Sequence, residues 1–225
     1  MTCRHTASRL RLARHSTHRA GVLMARNDQQ EHRMTTTVSN WTDHIREICH
    51  QTTCADPLEI ALDIMHAEGF PVAGQAHHAL VAGVLMAAYQ NAAGTRDERA
   101  LETAITRADS LPAGFCAGFG ADVGAIAAGI VLSVIHGNTI KAEHSPGRAQ
   151  THQLTAHCML TIANNTGNRC CKRTVFQVLE TATNFFQANV GVSLDRTPAA
   201  RFHCPYAAQN GLCNREACRY YPVEH

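Results

Sequence analysis

Residues 77–90 read HHALVAGVLMAAYQ, and this stretch decides the fold class that the sequence predicts. After its two opening histidines the stretch is almost wholly apolar, and Gly94 stands where a helix of this length would end. A helix that is apolar on every face is buried among other elements. We therefore predict a buried helix here, with partners on several sides.

The segments on either side of this stretch also have helical patterns. Before it, Asp56 at an N-cap, Pro57 at the first helical position and Glu59 at capping-box spacing predict a helix over 57–68. Alternating β-branched stretches are absent from the sequence. The predicted fold class is mostly α, a compact helical bundle with a Cys-rich C-terminal loop or knuckle. The further predicted helices cover 96–109, 118–136, 148–164 and 172–189, the last of them stopped by Gly191.

The segment 113–135 is long enough to cross a bilayer and contains a single charged residue, Asp122. Several glycines dilute its hydropathy, and neither flank carries a basic cluster or an aromatic belt. We therefore expect a central, buried helix with close-packed neighbours rather than a membrane span. His77 and His78 are expected near the same core.

Charge is distributed unevenly along the 225 residues. Residues 1–33 carry seven Arg against Asp28 and Glu31, a net charge of +5, whereas the other 192 residues carry 13 basic and 16 acidic side chains. We predict a disordered basic leader over residues 1–40, which is untranslated, a targeting segment or a nucleic-acid-binding arm. A single α-helical, Cys-rich domain over 41–225 follows it. The acidic balance of that domain argues against nucleic-acid binding by the domain itself.

The ten cysteines are interpreted as reduced thiols. No apolar run matches the core of a secretory signal, so the predicted location is cytoplasmic, where disulfides are uncommon. Cys49, Cys54 and Cys158 lie in helical patterns and are expected to be buried as small apolar side chains. Six others lie in loop or glycine-rich contexts and are candidate site residues.

Three of these six lie in the C-terminal segment, where Cys204, Cys213 and Cys218 are spaced C-x8-C-x4-C. Pro205 and the Asn210-Gly211 pair favour a loop that folds back on itself. Such a loop can direct three thiolates at one metal centre. A Cys-Pro dipeptide and a four-residue gap occur in iron–sulfur proteins, so we predict an iron–sulfur cluster, with zinc as the alternative.

Two more candidates, Cys170 and Cys171, directly precede the last predicted helix. Arg169 and Lys172 flank them, and both the positive charge and the helix N-terminus favour thiolate over thiol. We predict that the pair ligates a metal or supplies a nucleophile. If the pair supplies a nucleophile, Arg169 and Lys172 belong to the same catalytic group and lower the pKa of the thiols.

Cys116 lies in a glycine-rich stretch, LPAGFCAGFGADVG, at the start of the predicted fourth helix. Backbone N–H groups in such a stretch can turn toward an anion, a thiolate or a cluster sulfide. Cys116 is therefore a candidate metal ligand or cofactor contact. Close packing of the glycines is an equally good explanation.

Four motifs together resemble one family. They are the His-His pair, P-x-G-F-C-x-G-F-G, G-N-R-C-C-K-R and the terminal C-x8-C-x4-C. With these motifs the sequence resembles, over residues 56–222, the family known as domain of unknown function 5714. The resemblance implies a fold and a set of site residues but no reaction. By this resemblance His77, His78 and Cys116 join the cofactor-binding candidates. The implied site also includes Arg169, Cys170, Cys171, Cys204, Cys213 and Cys218.

Three functions are compatible with these residues. The first is a metalloprotein, with Cys204, Cys213 and Cys218 as ligands and a fourth ligand from Cys170, Cys171 or Cys116, that serves redox, sulfur or cofactor-maturation chemistry. The second is a thiol enzyme in sulfur transfer or reduction, in which Cys170 or Cys171 is the nucleophile and another cysteine resolves the intermediate. The third is a non-catalytic, zinc-stabilised interaction module. The partner is expected to be a small molecule or another protein.

Overall fold

The structure is a computed structural model, and it describes residues 40–165, 167–196 and 202–222. The predicted leader lies outside the described residues except for Asn40. Within the described ranges the chain forms eight α-helices and no strand, which confirms the mostly α prediction. These helices are α1 (Trp41–Gln51), α2 (Pro57–Met65), α3 (Ala76–Ala93), α4 (Glu98–Asp109), α5 (Phe115–Gly118), α6 (Val123–Ile135), α7 (Ser145–Ala163) and α8 (Cys171–Phe185).

Helix α3 is the centre of the bundle. Every residue from 77 to 88 is buried, and α1, α2, α4, α6 and α8 all pack against it, as its apolar sequence predicts. Gly83 permits the approach of α1, because a Cβ there would lie 3.1 Å from both Cys49 Sγ and Ile45 Cγ2. The bundle is thus organised around the helix that opens with the two histidines.

The predicted start of α2 is confirmed in detail. The Asp56 carboxylate accepts hydrogen bonds from the backbone N–H groups of Leu58 (2.9 Å) and Glu59 (3.3 Å), and Pro57 occupies the first turn. The helix ends at Met65 rather than at residue 68, since the chain turns before Gly69, whose φ is +83°. Helix α1 was not predicted, although Asn40 caps it through Thr42 N.

The predicted helix over 118–136 is wrong at its start. The chain forms the short helix α5, turns at Gly120 with φ +73°, and begins α6 only at Val123. Asp122 is the N-cap of α6 and accepts a hydrogen bond from Gly124 N, so the one charge in this apolar segment stops the helix from extending toward residue 118. None of the helices in the described ranges is long and apolar enough to cross a membrane.

The last predicted helix, over 172–189, is two elements. Helix α8 ends at Phe185, and a π-helical turn, Phe186–Val190, continues it to Gly191, whose φ of +77° stops the element as predicted. Beyond it, residues 202–222 contain only two short 3-10 turns, Ala207–Gln209 and Arg215–Ala217. We call residues 202–222 the C-terminal loop. Its aromatic residues Phe202 and Tyr220 hold it against Phe176 of α8, with ring centroids 4.7 and 5.3 Å away.

Candidate functional site

Four cysteine side chains line one cleft between α8 and the C-terminal loop. Cys170 is the N-cap of α8, whereas Cys204, Cys213 and Cys218 belong to the loop. The cleft is partly open to solvent. A backbone hydrogen bond of 2.6 Å from Cys204 N to Tyr220 O joins the two ends of the loop. We call this cleft the four-thiol pocket.

The turn between Cys213 and Cys218 directs a backbone amide at the Cys213 sulfur. Arg215 N donates a hydrogen bond to Cys213 Sγ (3.4 Å), and Cys218 N donates one to Arg215 O (2.7 Å). Arg215 has φ +50°, which is uncommon for a residue other than glycine. This conformation directs an amide at one sulfur and returns the chain so that the next cysteine reaches the same cleft.

The sulfurs of Cys204 and Cys170 also accept hydrogen bonds from the backbone. Tyr206 donates its N–H to Cys204 Sγ, again two residues further along the chain. Cys170 Sγ accepts from Arg173 N and from Asn210 Nδ2, both at 3.5 Å. Hydrogen bonds of this kind stabilise a sulfur that carries negative charge. Burial, and then the proximity of the neighbouring thiols, raises the pKa of Cys204 to about 11 when no cation is bound.

Lys172 is buried beside the four-thiol pocket. Its Nζ donates to Pro71 O (3.0 Å) and lies 4.2 Å from the Phe70 ring centroid and 4.6 Å from that of Tyr206. The side chain is 2% exposed, and burial lowers the pKa of its amine to about 8. The aromatic rings attract the ammonium through their π faces. A lysine buried this far is stable in the charged form only with negative charge nearby, and the four-thiol pocket can supply that charge.

A second pocket lies at the same end of α8, on the side of α3 and α6. Arg169 donates through Nη1 to Cys171 Sγ (3.1 Å) and through Nη2 to Asp122 Oδ2 (3.5 Å). His77 and His78, at the start of α3, and Thr174 of α8 complete its polar lining. We call it the Cys171 pocket. Cys170 and Cys171 therefore face different pockets although they are adjacent in sequence.

Cys116 lies beside this second pocket and contacts the same guanidinium. Its Sγ accepts a hydrogen bond from Val123 N (3.2 Å) and another from the side chain of Arg169. Burial raises the pKa of the Cys116 thiol, although the residue is only half-buried. One arginine thus contacts two thiols and the carboxylate of Asp122.

In both histidines one ring nitrogen, Nδ1, faces a backbone carbonyl, and the other, Nε2, carries no proton. His77 Nδ1 lies 3.1 Å from Gly74 O, and His78 Nδ1 lies 3.2 Å from Leu111 O. Since a carbonyl only accepts, each Nδ1 carries the proton and each Nε2 has a lone pair. His77 Nε2 is buried without a hydrogen-bond partner, and burial lowers the pKa of the ring to about 3. An unsatisfied buried polar atom costs about 1–3 kcal/mol.

The structure separates the sequence-derived site residues into two groups. The fourth sulfur beside Cys204, Cys213 and Cys218 belongs to Cys170, whereas Cys171 and Cys116 contact Arg169. No group of three or more His, Cys, Asp or Glu side chains in the described ranges is placed to hold a single metal ion.

Sequence reasoning missed three residues that shape these pockets. Asp122 was noted only as a charge within an apolar segment, which is the signal that could have identified it. Phe70 and Tyr206, which enclose the Lys172 amine, lie far apart in sequence, and no local pattern relates them. The packing cysteines Cys49, Cys54 and Cys158 are buried as predicted, at 3%, 5% and 0% exposure. Cys54 is disulfide-bonded, however, so the interpretation of all ten cysteines as reduced thiols is wrong for this residue.

Comparison with known proteins gives one match. The model of a family described as a family of unknown function, DUF5714, matches residues 45–221, which is most of the chain. It begins eleven residues before the start of the similarity seen in the sequence and includes most of α1. No curated protein and no solved structure matches the chain.

Proposed function

We propose that this chain, which belongs to the DUF5714 family, is an iron–sulfur protein whose cluster is held by Cys170, Cys204, Cys213 and Cys218. One observation carries the proposal: four thiols from two distant parts of the chain line a single cleft. Unpaired thiols brought together in this way are an oxidation liability unless a metal occupies them. Four cysteine ligands are also the usual set for a cluster.

The hydrogen bonds to the sulfurs support thiolate ligation. Cys204 and Cys213 each accept from the amide two residues later, and Cys170 accepts from the first turn of α8. Such amides lower the energy of a metal-bound thiolate and adjust the potential of a cluster. Thiols with a purely packing role, such as the fully buried Cys158, behave instead as small apolar side chains.

The charge of Lys172 supports the same proposal. Four thiolates leave a cluster with net negative charge, and an ammonium buried at the wall of the pocket offsets it. The interactions of this amine with the Cys170, Cys171 and Cys204 sulfurs all favour its charged form. With neutral thiols the same lysine would have little compensation beyond two aromatic rings and one carbonyl.

Four cysteine sulfurs are a usual ligand set both for an iron–sulfur cluster and for one structural zinc ion, and we propose the cluster. A tetrahedral zinc site brings its ligands to a point about 2.3 Å from each sulfur. When bound, the cluster supplies one-electron transfer, and four cysteines leave no iron open to substrate. We therefore assign the pocket to electron transfer within redox or cofactor-maturation chemistry.

Anoxic purification followed by iron, sulfide and zinc analysis tests this function. We expect iron and acid-labile sulfide in equal amounts in the wild type and their loss in Cys170→Ser. Cys171→Ser is the matched control, because it makes the same change one residue away and faces the other pocket. One equivalent of zinc without sulfide would select the zinc-stabilised module. A folded protein free of metal under anoxic conditions would contradict both.

A further inference from the structure

We propose that Cys171 is an oxidation site, at which hydrogen peroxide leaves one oxygen atom on the sulfur as a sulfenic acid, Cys171–S–OH. The site is separate from the four-thiol pocket and does not depend on a bound cluster. Three observations carry the proposal. They are the small space beside the Cys171 sulfur, the guanidinium that contacts this sulfur, and a buried acceptor nitrogen without a partner in the same pocket.

The space in the Cys171 pocket fits one added atom. The pocket has room for about one water molecule and is partly open to solvent. An oxygen bonded to Cys171 Sγ needs no more room than that water, whereas the second half of a mixed disulfide is too large. The pocket therefore favours oxidation by a small peroxide over exchange with a disulfide.

His77 provides the acceptor for the hydroxyl of a sulfenic acid. Its Nδ1 faces Gly74 O, so its Nε2 has the lone pair, and this nitrogen is buried without a hydrogen-bond partner. The ring is neutral at ordinary pH, because burial lowers its pKa to about 3. A thiol is only a weak donor, whereas the O–H of a sulfenic acid is a hydroxyl donor. Oxidation of Cys171 therefore satisfies a polar atom that the reduced protein leaves unpaired.

Arg169 supplies positive charge where the reaction requires it. Its Nη1 donates to Cys171 Sγ at 3.1 Å, and Nη2 lies 3.5 Å from Asp122 Oδ2, which fixes the guanidinium. Cleavage of the O–O bond places negative charge on the departing oxygen, and a fixed guanidinium beside the sulfur stabilises that charge. Thr174, one turn further along α8, lines the same pocket, and its hydroxyl can donate to the departing oxygen as well.

The reaction balances between the thiol and the peroxide. The Cys171 sulfur attacks one oxygen of H–O–O–H with an electron pair, and the O–O bond breaks. The second oxygen leaves as hydroxide and takes the proton of the thiol to become water. The sulfur loses two electrons and the peroxide gains two, so the products are Cys171–S–OH and one water.

The surroundings of Cys171 preserve the sulfenic acid once it has formed. Sulfenic acids condense with thiols to give disulfides. Among the described residues that line this pocket Cys171 is the only cysteine, and it is 5% exposed. Cys116 contacts the same guanidinium but is more exposed and does not line the pocket. We therefore expect Cys171, and not the more accessible Cys116, to carry the oxygen.

The test treats the full chain, as isolated without oxygen, with one equivalent of hydrogen peroxide. Samples are then unfolded in acid with dimedone, which tags sulfenic acids, and the tag is located by tandem mass spectrometry. The wild type should gain one oxygen atom and carry the tag on Cys171, and Cys171→Ser should carry no tag. A tag that appears first on Cys116, or a Cys171 thiol that survives the treatment unmodified, would overturn the proposal.

Two variants separate the chemistry of this pocket from simple thiol exposure. Arg169→Gln should slow the tagging of Cys171 about tenfold to a hundredfold, the equivalent of a charge-assisted hydrogen bond, whereas Arg99→Gln on the exposed face of α4 should not. His77→Asn retains a donor for Gly74 O but has no atom in the place of Nε2. Its sulfenic acid should therefore form at the wild-type rate and disappear sooner. An unchanged rate in Arg169→Gln, or an unchanged lifetime in His77→Asn, would refute the proposed site.

Discussion

The buried ring of His77 makes the stability of the protein depend on pH. The unfolded chain takes up a proton on this ring near pH 6.5, whereas burial lowers the folded pKa to about 3. Between these values the unfolded state binds more protons, so the free energy of unfolding decreases as the pH falls. From pH 7.5 to pH 5 the contribution of this one ring is a loss of about 2 kcal/mol.

Comparison of wild type with His77→Asn isolates that contribution. An asparagine can still donate to Gly74 O but cannot take up the proton, so its urea unfolding curves should lack this part of the pH dependence. Groups that titrate in both proteins cancel in the difference. His152→Asn changes an exposed imidazole on α7 and should follow the wild type. Wild-type and His77→Asn curves that stay parallel within about 0.5 kcal/mol from pH 7.5 to 5 would refute the reasoning.

Three further substitutions test other parts of the structure. Gly129→Ala should destabilise the protein by about 1–3 kcal/mol in chemical unfolding, because its Cβ would overlap Thr155 Oγ1, whereas Gly118→Ala meets nothing within 4 Å and should change stability by less than about 0.5 kcal/mol. Lys172→Met should reduce the iron retained after anoxic purification while leaving the metal-free protein as stable or more stable, since it removes a buried cation; loss of stability with full iron content would contradict this. Tyr220→Phe should cost about 1–3 kcal/mol, because its hydroxyl donates at 2.9 Å to a carboxylate of α8, and an unchanged unfolding midpoint would show that water replaces the bond.

The helices could be predicted wherever a local signal was strong. Asp56 and Pro57 marked the start of α2 because capping depends on residues within one turn. The start of α6 was predicted too early because apolar composition alone does not reveal the turn at Gly120, and helix α1 was missed although Asn40 caps it. Capping residues therefore predicted where a helix begins better than the apolar composition of a segment did.

The site could be predicted as a set of residues but not as two pockets. The spacing of Cys204, Cys213 and Cys218 was enough to group them, because one loop holds all three. Whether Cys170 or Cys171 is the fourth cysteine of that pocket depends on how α8 is oriented against the C-terminal loop. Adjacent residues on a helix face different directions, so the two sulfurs had to diverge, but only tertiary packing decides which pocket each one meets.

This divergence puts the boundary between the two pockets inside a single pair of residues. Cys170 lines the four-thiol pocket and Cys171 lines the Cys171 pocket, although one peptide bond joins them. The start of α8 is therefore the wall between the two pockets. A thiol label that reacts with one of these neighbours and not with the other would report which side of that wall a reagent can reach.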